Sequence, residues 1–420
     1  MKPKLLTTLP GYTLAALRGD AIAGVTVAMV AIPLSIAIAI ASGAPPEAGL
    51  ITAIVGGLLI SLLGGSRVQI GGPTGAFIVV VYGVIAEHGF DGLVLATLMA
   101  GAILLVAAML RLGNLVRYIP EAVVNGFTIG IAIIIASSQL KDFFGLGGQA
   151  MPADFLPKIA ALWDMRASFN PTALAIGAGA LVLIVALRRL SERLPGLIVA
   201  VALASIMVAV LHLPVDTIAS RYGELPRGLP MPHIPEVTVA RLAELLPSAM
   251  IIAVLAAIES LLSAIVADRM FEGRHRPNAE VLAQGCANIG SALFGGLPAT
   301  GAIARTATNV RAGGRTPVAG LVHALVILLV TLLAAPLAGY LAMPALAALL
   351  MLTAWNMSEP HKWHSYLQGP VADKLLLLTT LVLTVVADLT VAIGVGVAFG
   401  LALRLRNSEV EPEDWSSPER

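Results

Sequence analysis

Charge is scarce in this chain of 420 residues: Asp, Glu, Lys and Arg make up 12% of it, against about 25% in soluble domains. With 58% hydrophobic residues and a mean hydropathy of +0.90, those side chains cannot cover a water-facing surface of this size. A soluble protein is excluded, and the chain belongs in a bilayer. Cysteine is nearly absent: Cys286 stands alone, so no internal disulfide framework and no Cys-rich metal site can form. Net charge is close to zero, at +1, which excludes a nucleic-acid binder that works by neutralising phosphates. The first twenty residues lack a compact apolar core followed by a small-residue cleavage site, so no cleavable signal peptide is expected. Nothing in the composition implies a cofactor.

Glycine and proline are plentiful, with 41 and 26 residues, which suggests helices that are interrupted on purpose. A spanning helix needs about 20 apolar residues. Runs of adequate length occupy 22–40, 50–63, 92–110, 116–136, 171–187, 197–211, 246–267, 318–335 and 337–355. Stretches 74–86, 279–293 and 299–310 are apolar but too short to span. Residues 375–403 are interrupted by Asp388 and read as two shortened helices. Together these make fourteen segments. Alternating sides from a cytoplasmic N-terminus puts nineteen Lys and Arg residues inside and six outside, with Arg305 left within a segment. That bias is the one expected of cytoplasmic loops, and it places both termini in the cytoplasm of an inner-membrane protein. The outward connections 140–170 and 213–244 read as surface loops or interfacial helices without chemistry.

The two halves repeat one another. Thr74-Gly75-Ala76 follows Gly71-Gly72-Pro73, and Thr300-Gly301-Ala302 follows Gly295-Gly296-Leu297-Pro298, 226 residues later. The same offset carries Pro33 of the first segment onto Glu259 of the eighth. Seven segments per repeat is an odd number, so the halves, about 15–212 and 240–405, must be inverted. The expected fold is therefore an all-α membrane protein, a 7+7 inverted repeat of fourteen segments. Its third and tenth segments are half-helices, starting at Thr74 and Thr300 and preceded by short extended stretches such as Val68-Gln69-Ile70. Proline suits a first helical turn and threonine can cap it. Two such N-termini facing each other at the midplane offer free N–H groups and about half a positive charge each. Such a site suits a small anion. The alternative is that these glycines only allow close helix packing.

Ionisable residues within the bilayer are costly and mark function by default. Glu259 lies mid-helix, and Arg305 sits under two turns past Thr300. They could form a structural ion pair. On the functional reading, an ionised Glu259 cancels Arg305, whereas a protonated Glu259 leaves the cavity positive and receptive to an anion. Proton and anion would then move together. Ser263, one turn from Glu259, could hydrogen-bond either partner. Glu47, Glu87, His88 and Glu121 read as interfacial. Asp388 lacks an acidic mate and His212 and His323 lie near segment ends, so an intramembrane enzyme is not expected.

The run from Glu259 through Ser263 to Asp268, with Asn278, Glu280, Gln284, Asn288, Gly295-Gly296, Gly301 to Asn309 and Gly313 to Pro317, closely resembles the sulfate permease (SulP) family. Ile32-Pro33-Leu34-Ser35 and Gly43 to Leu50 resemble its first-helix signature. The resemblance covers about residues 15–405. It implies core and gate domains, elevator-like alternating access and a homodimer. The anion, such as sulfate, bicarbonate or a dicarboxylate, would be bound by Ser35, Gln69, Thr74, Gly75, Ala76, Phe77, Thr300, Gly301, Ala302, Ile303, Ala304 and Arg305. Glu259 and Ser263 would serve coupling. Bicarbonate carriers of the family have Asp and use sodium at the Glu259 position; Glu here leans toward protons. Sodium-coupled bicarbonate uptake, an anion channel and an exchanger remain alternatives. Leu34 and Ile38 replace the Gln and Tyr of many relatives, which puts polar contacts from that helix in doubt. The charged tail 407–420 is too short for the STAS domain that relatives usually carry, so none is expected.

Overall fold

Backbone polar groups within a bilayer must be satisfied inside the chain, and here that is done almost entirely by α-helices. The computed structural model describes residues 2–114, 121–148, 151–190, 195–271 and 273–386. The helices in order are α1 (Lys4–Thr8), α2 (Leu14–Ala41), α3 (Pro46–Ile51), α4 (Gly57–Leu63), α5 (Ile78–Met109), α6 (Glu121–Phe143), α7 (Phe155–Asp164), α8 (Pro171–Leu190) and α9 (Gly196–Val210). They continue as α10 (Ile218–Tyr222), α11 (Val239–Phe271), α12 (Pro277–Leu293), α13 (Ile303–Arg311), α14 (Val318–Ala338), α15 (Met343–Met357), α16 (Trp363–Gln368) and α17 (Val371–Val386). Among the described residues, seven helical stretches are long and apolar enough to cross a membrane. They are Leu14–Ala41, Pro46–Leu63, Gly75–Met109, Glu121–Phe143, Pro171–Leu190, Val239–Phe271 and Val318–Ala338. The break expected at Asp388 and the charged tail lie outside the described residues.

Several interruptions follow from the sequence. α3 and α4 are one rod joined by a single π-helical turn, Thr52–Gly56, where the Thr52 hydroxyl donates to the Ala48 carbonyl at 2.7 Å and accepts from the Leu297 N–H at 2.7 Å. α5 is two legs rather than one rod, because Gly89 takes φ 71° and ψ −180° between them. Those legs are the short run 74–86 and the long run 92–110. α11 starts seven residues earlier than its apolar run at 246, carrying Pro247 near its beginning, and α15 starts at Met343 with Pro344 in its first turn.

α12 packs against α5 and α4, α11 against α5 and α13, and α14 against α2 and α4. A second group holds α6 with α15 and α17, and α8 with α9 and α15. α2 touches both, meeting α15, α9 and α6. Small residues let the helices approach: Ala23, Ala28, Ala31, Ala39, Ala53, Ala96, Ala256, Ala287 and Ala345 are all at 0% exposure. The two short strands, Gly71–Gly72 and Thr300–Gly301, are both buried.

Candidate functional site

Two extended dipeptides meet at the centre of the molecule. Gly71–Gly72 pairs antiparallel with Thr300–Gly301, Gly71 opposite Gly301 and Gly72 opposite Thr300. The Ala302 N–H extends the pairing by donating to the Ile70 carbonyl at 2.9 Å. Side chains lock the crossing. The Thr306 hydroxyl accepts from the Ile70 N–H at 3.1 Å, and Asn309 donates to the Val68 carbonyl at 2.8 Å. Asn288 both donates to the Ala299 carbonyl at 2.8 Å and accepts from its N–H at 3.0 Å.

A helical turn leaves each strand. Thr74 flanks the short 3-10 turn Gly75–Phe77, which runs into α5; Ala302 flanks α13. The first N–H groups of a helix have no internal acceptor. Here those of Gly75 and Ala76, and of Ile303, Ala304 and Arg305, have no partner among the described residues. The second helix starts later than the sequence suggests, because Thr300 and Gly301 are taken by the strand pairing. Neither threonine caps: Thr300 donates to the Ala256 carbonyl at 3.0 Å, and the buried Thr74 hydroxyl has no partner among the described residues. Ile303 and Ala304 are exposed, so the α13 turn opens onto free space, whereas Gly75, Ala76 and Phe77 are buried. Across from Gly75 stand Ile135 of α6 and Met357 at the end of α15.

Arg305 is 2% exposed and carries the site's one buried guanidinium among the described residues. Nη2 donates to the Ser35 hydroxyl at 3.0 Å, and Nη1 has no partner. Nη1 lies directly over Gly72, where a Cβ would collide with it and where φ is 153°, so glycine is required on both counts. An orphaned donor on a buried cation is expensive. Together with the free N–H groups and the Thr74 hydroxyl it makes a set of donors suited to an oxyanion.

The ion pair considered between Glu259 and Arg305 is not made: no charged atoms of the two come within 4.0 Å. Glu259 is half-buried on α11 and has neither a hydrogen bond nor an ion pair among the described residues. Ser263, on the next turn, shares a 3.3 Å hydrogen bond with Thr306 of α13 rather than with Glu259 or Arg305. His323, expected near a segment end, is at 0% exposure on α14 with both ring nitrogens unpartnered.

Gln69 is engaged elsewhere than expected. Its amide nitrogen donates to Ser260 at 2.7 Å and to Glu280 at 3.0 Å, and it lies against Gly301, where a Cβ would collide with it. Glu280 is a fully buried carboxylate beside this crossing, at 0% exposure. One oxygen accepts from the Gly65 and Ser66 N–H groups at 2.9 and 3.2 Å. The other accepts from Gln69, Ser260 and Gln284 at 3.0, 3.1 and 3.1 Å. Five donors can hold a carboxylate without a cation. The sequence carried a signal for this network that charge alone did not reveal: Glu280, Gln284 and Asn288 recur every four residues, a polar stripe on one face of an otherwise apolar helix.

The sulfate permease family model matches residues 17–380. Among curated proteins, the chain is 41% identical to "Putative sulfate transporter YvdB" of Bacillus subtilis, over 96% of this chain and 78% of that one. It is 33% identical to the bicarbonate transporter BicA of Picosynechococcus, over 94% and 72% of the two chains. Among solved structures, the transmembrane domain of a cyanobacterial BicA superposes with a TM-score of 0.82 at 32% identity, covering 91% of this chain and 99% of that one. The murine anion transporter Slc26a9 shares the fold with a TM-score of 0.85 at 19% identity, over 97% and 71%. With the family model and these relatives in agreement, and no enzyme among them, the chain belongs to the sulfate permease family of multi-pass membrane anion transporters.

Proposed function

We propose that the protein is a secondary active transporter that carries a small oxyanion or dicarboxylate with a proton across the cytoplasmic membrane. The observation that carries this reading is the unpartnered Nη1 of Arg305, buried beside two helix N-termini whose N–H groups are also unpartnered. Sulfate and bicarbonate are the anions named for the relatives, and either fits a site made of donors.

The coupling logic rests on Glu259 and Arg305 standing on the packed helices α11 and α13 without forming an ion pair. With Glu259 ionised the two formal charges cancel. With Glu259 protonated the site carries one net positive charge, and a monoanion restores neutrality. Loading an anion is therefore favoured together with loading a proton. The fold reading that accompanies this is a 7+7 inverted repeat of fourteen segments, with both termini in the cytoplasm. In it, α2 to α5 and α11 to α14 form a core that slides against a gate of α6, α8, α9, α15 and α17, within a homodimer. The contact grouping of the helices and the pairing of the two dipeptides support it. Sodium is the second reading: Ser263 and Thr306 place two hydroxyl oxygens beside the α11 face that bears Glu259, the oxygen chemistry a hard cation needs.

The test is uptake of labelled sulfate, bicarbonate, chloride and fumarate into proteoliposomes under an imposed proton or sodium gradient. Proton-driven accumulation of one of these anions is expected. Uptake that follows sodium and ignores the proton gradient would overturn the coupling assignment.

A further inference from the structure

The connection between α6 and α8 contains a helix that is turned inside out. On α7, the apolar Leu156, Ile159 and Trp163 are exposed, at 61%, 40% and 68%, while Lys158 is at 5%. The exposed apolar face suits a helix lying at the bilayer interface, with Trp163 at headgroup level and Arg166 stacked over it at 4.8 Å. The buried lysine on its inner face is harder to explain by packing alone.

Among the described residues, Lys158 has no carboxylate partner within ion-pair distance and no hydrogen bond. Its ammonium stands 5.6 Å from the centre of the Tyr82 ring, and the Tyr82 hydroxyl donates to the Met151 carbonyl just before α7. Burial pushes the Lys158 ammonium below the ordinary lysine range, and exposed Asp154, one turn away, only partly offsets this. A cation–π contact at a desolvated site returns only part of what burying an ammonium costs.

The location gives the charge a use. Tyr82 lies on the first leg of α5, five residues beyond Phe77, or about 8 Å along the helix from the turn that bears Gly75 and Ala76. Gly43, in the turn after α2, lies beside the same ring. On the orientation read from Lys and Arg, both positions face outward, so Lys158 stands at the outer part of the α5 leg whose inner end carries Gly75 and Ala76. We propose that Lys158 is an outer anion-recognition residue, contacting a small oxyanion that enters from the extracytoplasmic side before it reaches the central site. The inference rests on the anion-transport reading and adds a second, outer station to it. A buried, unpaired ammonium with three donors attracts the anion.

The experiment compares concentration dependence of labelled sulfate and bicarbonate uptake in right-side-out and inside-out vesicles bearing the full chain. For Lys158→Met, we expect the external KM to rise about tenfold, as for loss of one charge-assisted hydrogen bond, with the KM from the cytoplasmic side unchanged. Lys158→Gln should show the same one-sided defect, and Lys158→Arg should stay near the wild type. An unchanged external KM in both neutral variants would overturn the inference, as would an equal loss from both sides, which marks a structural role. A wild type that moves neither anion would instead sink the transport reading itself.

Discussion

Arg305 Nη2 donates to Ser35 Oγ at 3.0 Å across 270 residues of sequence, while Nη1 of the same guanidinium has no partner. One nitrogen anchors the side chain to the first spanning helix, and the other is left for a ligand. The doubt over polar contacts from that helix is thereby narrowed: Leu34 and Ile38 are apolar, but Ser35 supplies one through Arg305.

Replacing Arg305 tests this division of labour. Arg305→Ala should weaken anion affinity by tenfold or more, the range of a hydrogen bond to a charged group, about 1.5–3 kcal/mol. Ser35→Ala should cost only a few-fold, because it frees the guanidinium rather than removing it. Affinity is read from the anion KM of uptake, and an unchanged KM in Arg305→Ala would remove that residue from the site.

Glu259 should govern accumulation rather than binding. Glu259→Gln mimics the protonated state permanently, so proton-driven accumulation should be lost while anion exchange across the membrane continues. Counterflow of labelled against unlabelled sulfate separates the two. Undiminished accumulation would show that coupling runs through another group.

Gly72 and Gly83 make a contrasting pair. A Cβ on Gly72 would collide with Arg305 Nη1 at a backbone φ of 153°, whereas Gly83, on α5, has open space around it. Gly72→Ala should abolish uptake, and Gly83→Ala should leave it intact, each normalised to protein in the membrane. Equal behaviour of the two would show that the Gly72 approach is not essential.

Glu280 should matter for folding more than for the ligand. Glu280→Gln replaces an acceptor of five hydrogen bonds with a group that brings two donors of its own into a ring of donors. A loss of about 2–4 kcal/mol is expected, seen as a lower melting temperature in detergent. The anion KM of the protein that still folds should be little changed.

The two interruptions that pair are legible in the sequence. Gly71 to Pro73 and Gly295 to Pro298 cannot continue a helix, and Arg305 and Glu259 are conspicuous because the chain has so few charges. Thr74 and Thr300 were read too locally. Capping rules concern neighbours in sequence, whereas Thr300 is held by a carbonyl 44 residues away. The role of Glu280 is not legible in the sequence for the same reason: the donors that make it tolerable come partly from Gly65, Ser66 and Gln69, more than 200 residues earlier.

What the sequence determined by itself is what depends on local chemistry and composition. Apolar runs of about 20 residues must enter a bilayer, and glycine with proline must interrupt helices wherever they stand. The tertiary structure alone decided which interruptions pair, that Glu259 and Arg305 form no ion pair, and that Lys158 faces inward on a helix whose apolar Leu156, Ile159 and Trp163 are exposed. Those are contacts between distant segments. Their energies depend on which donors and acceptors the packed helices bring within about 3 Å of each other, and no single stretch of chain encodes that distance.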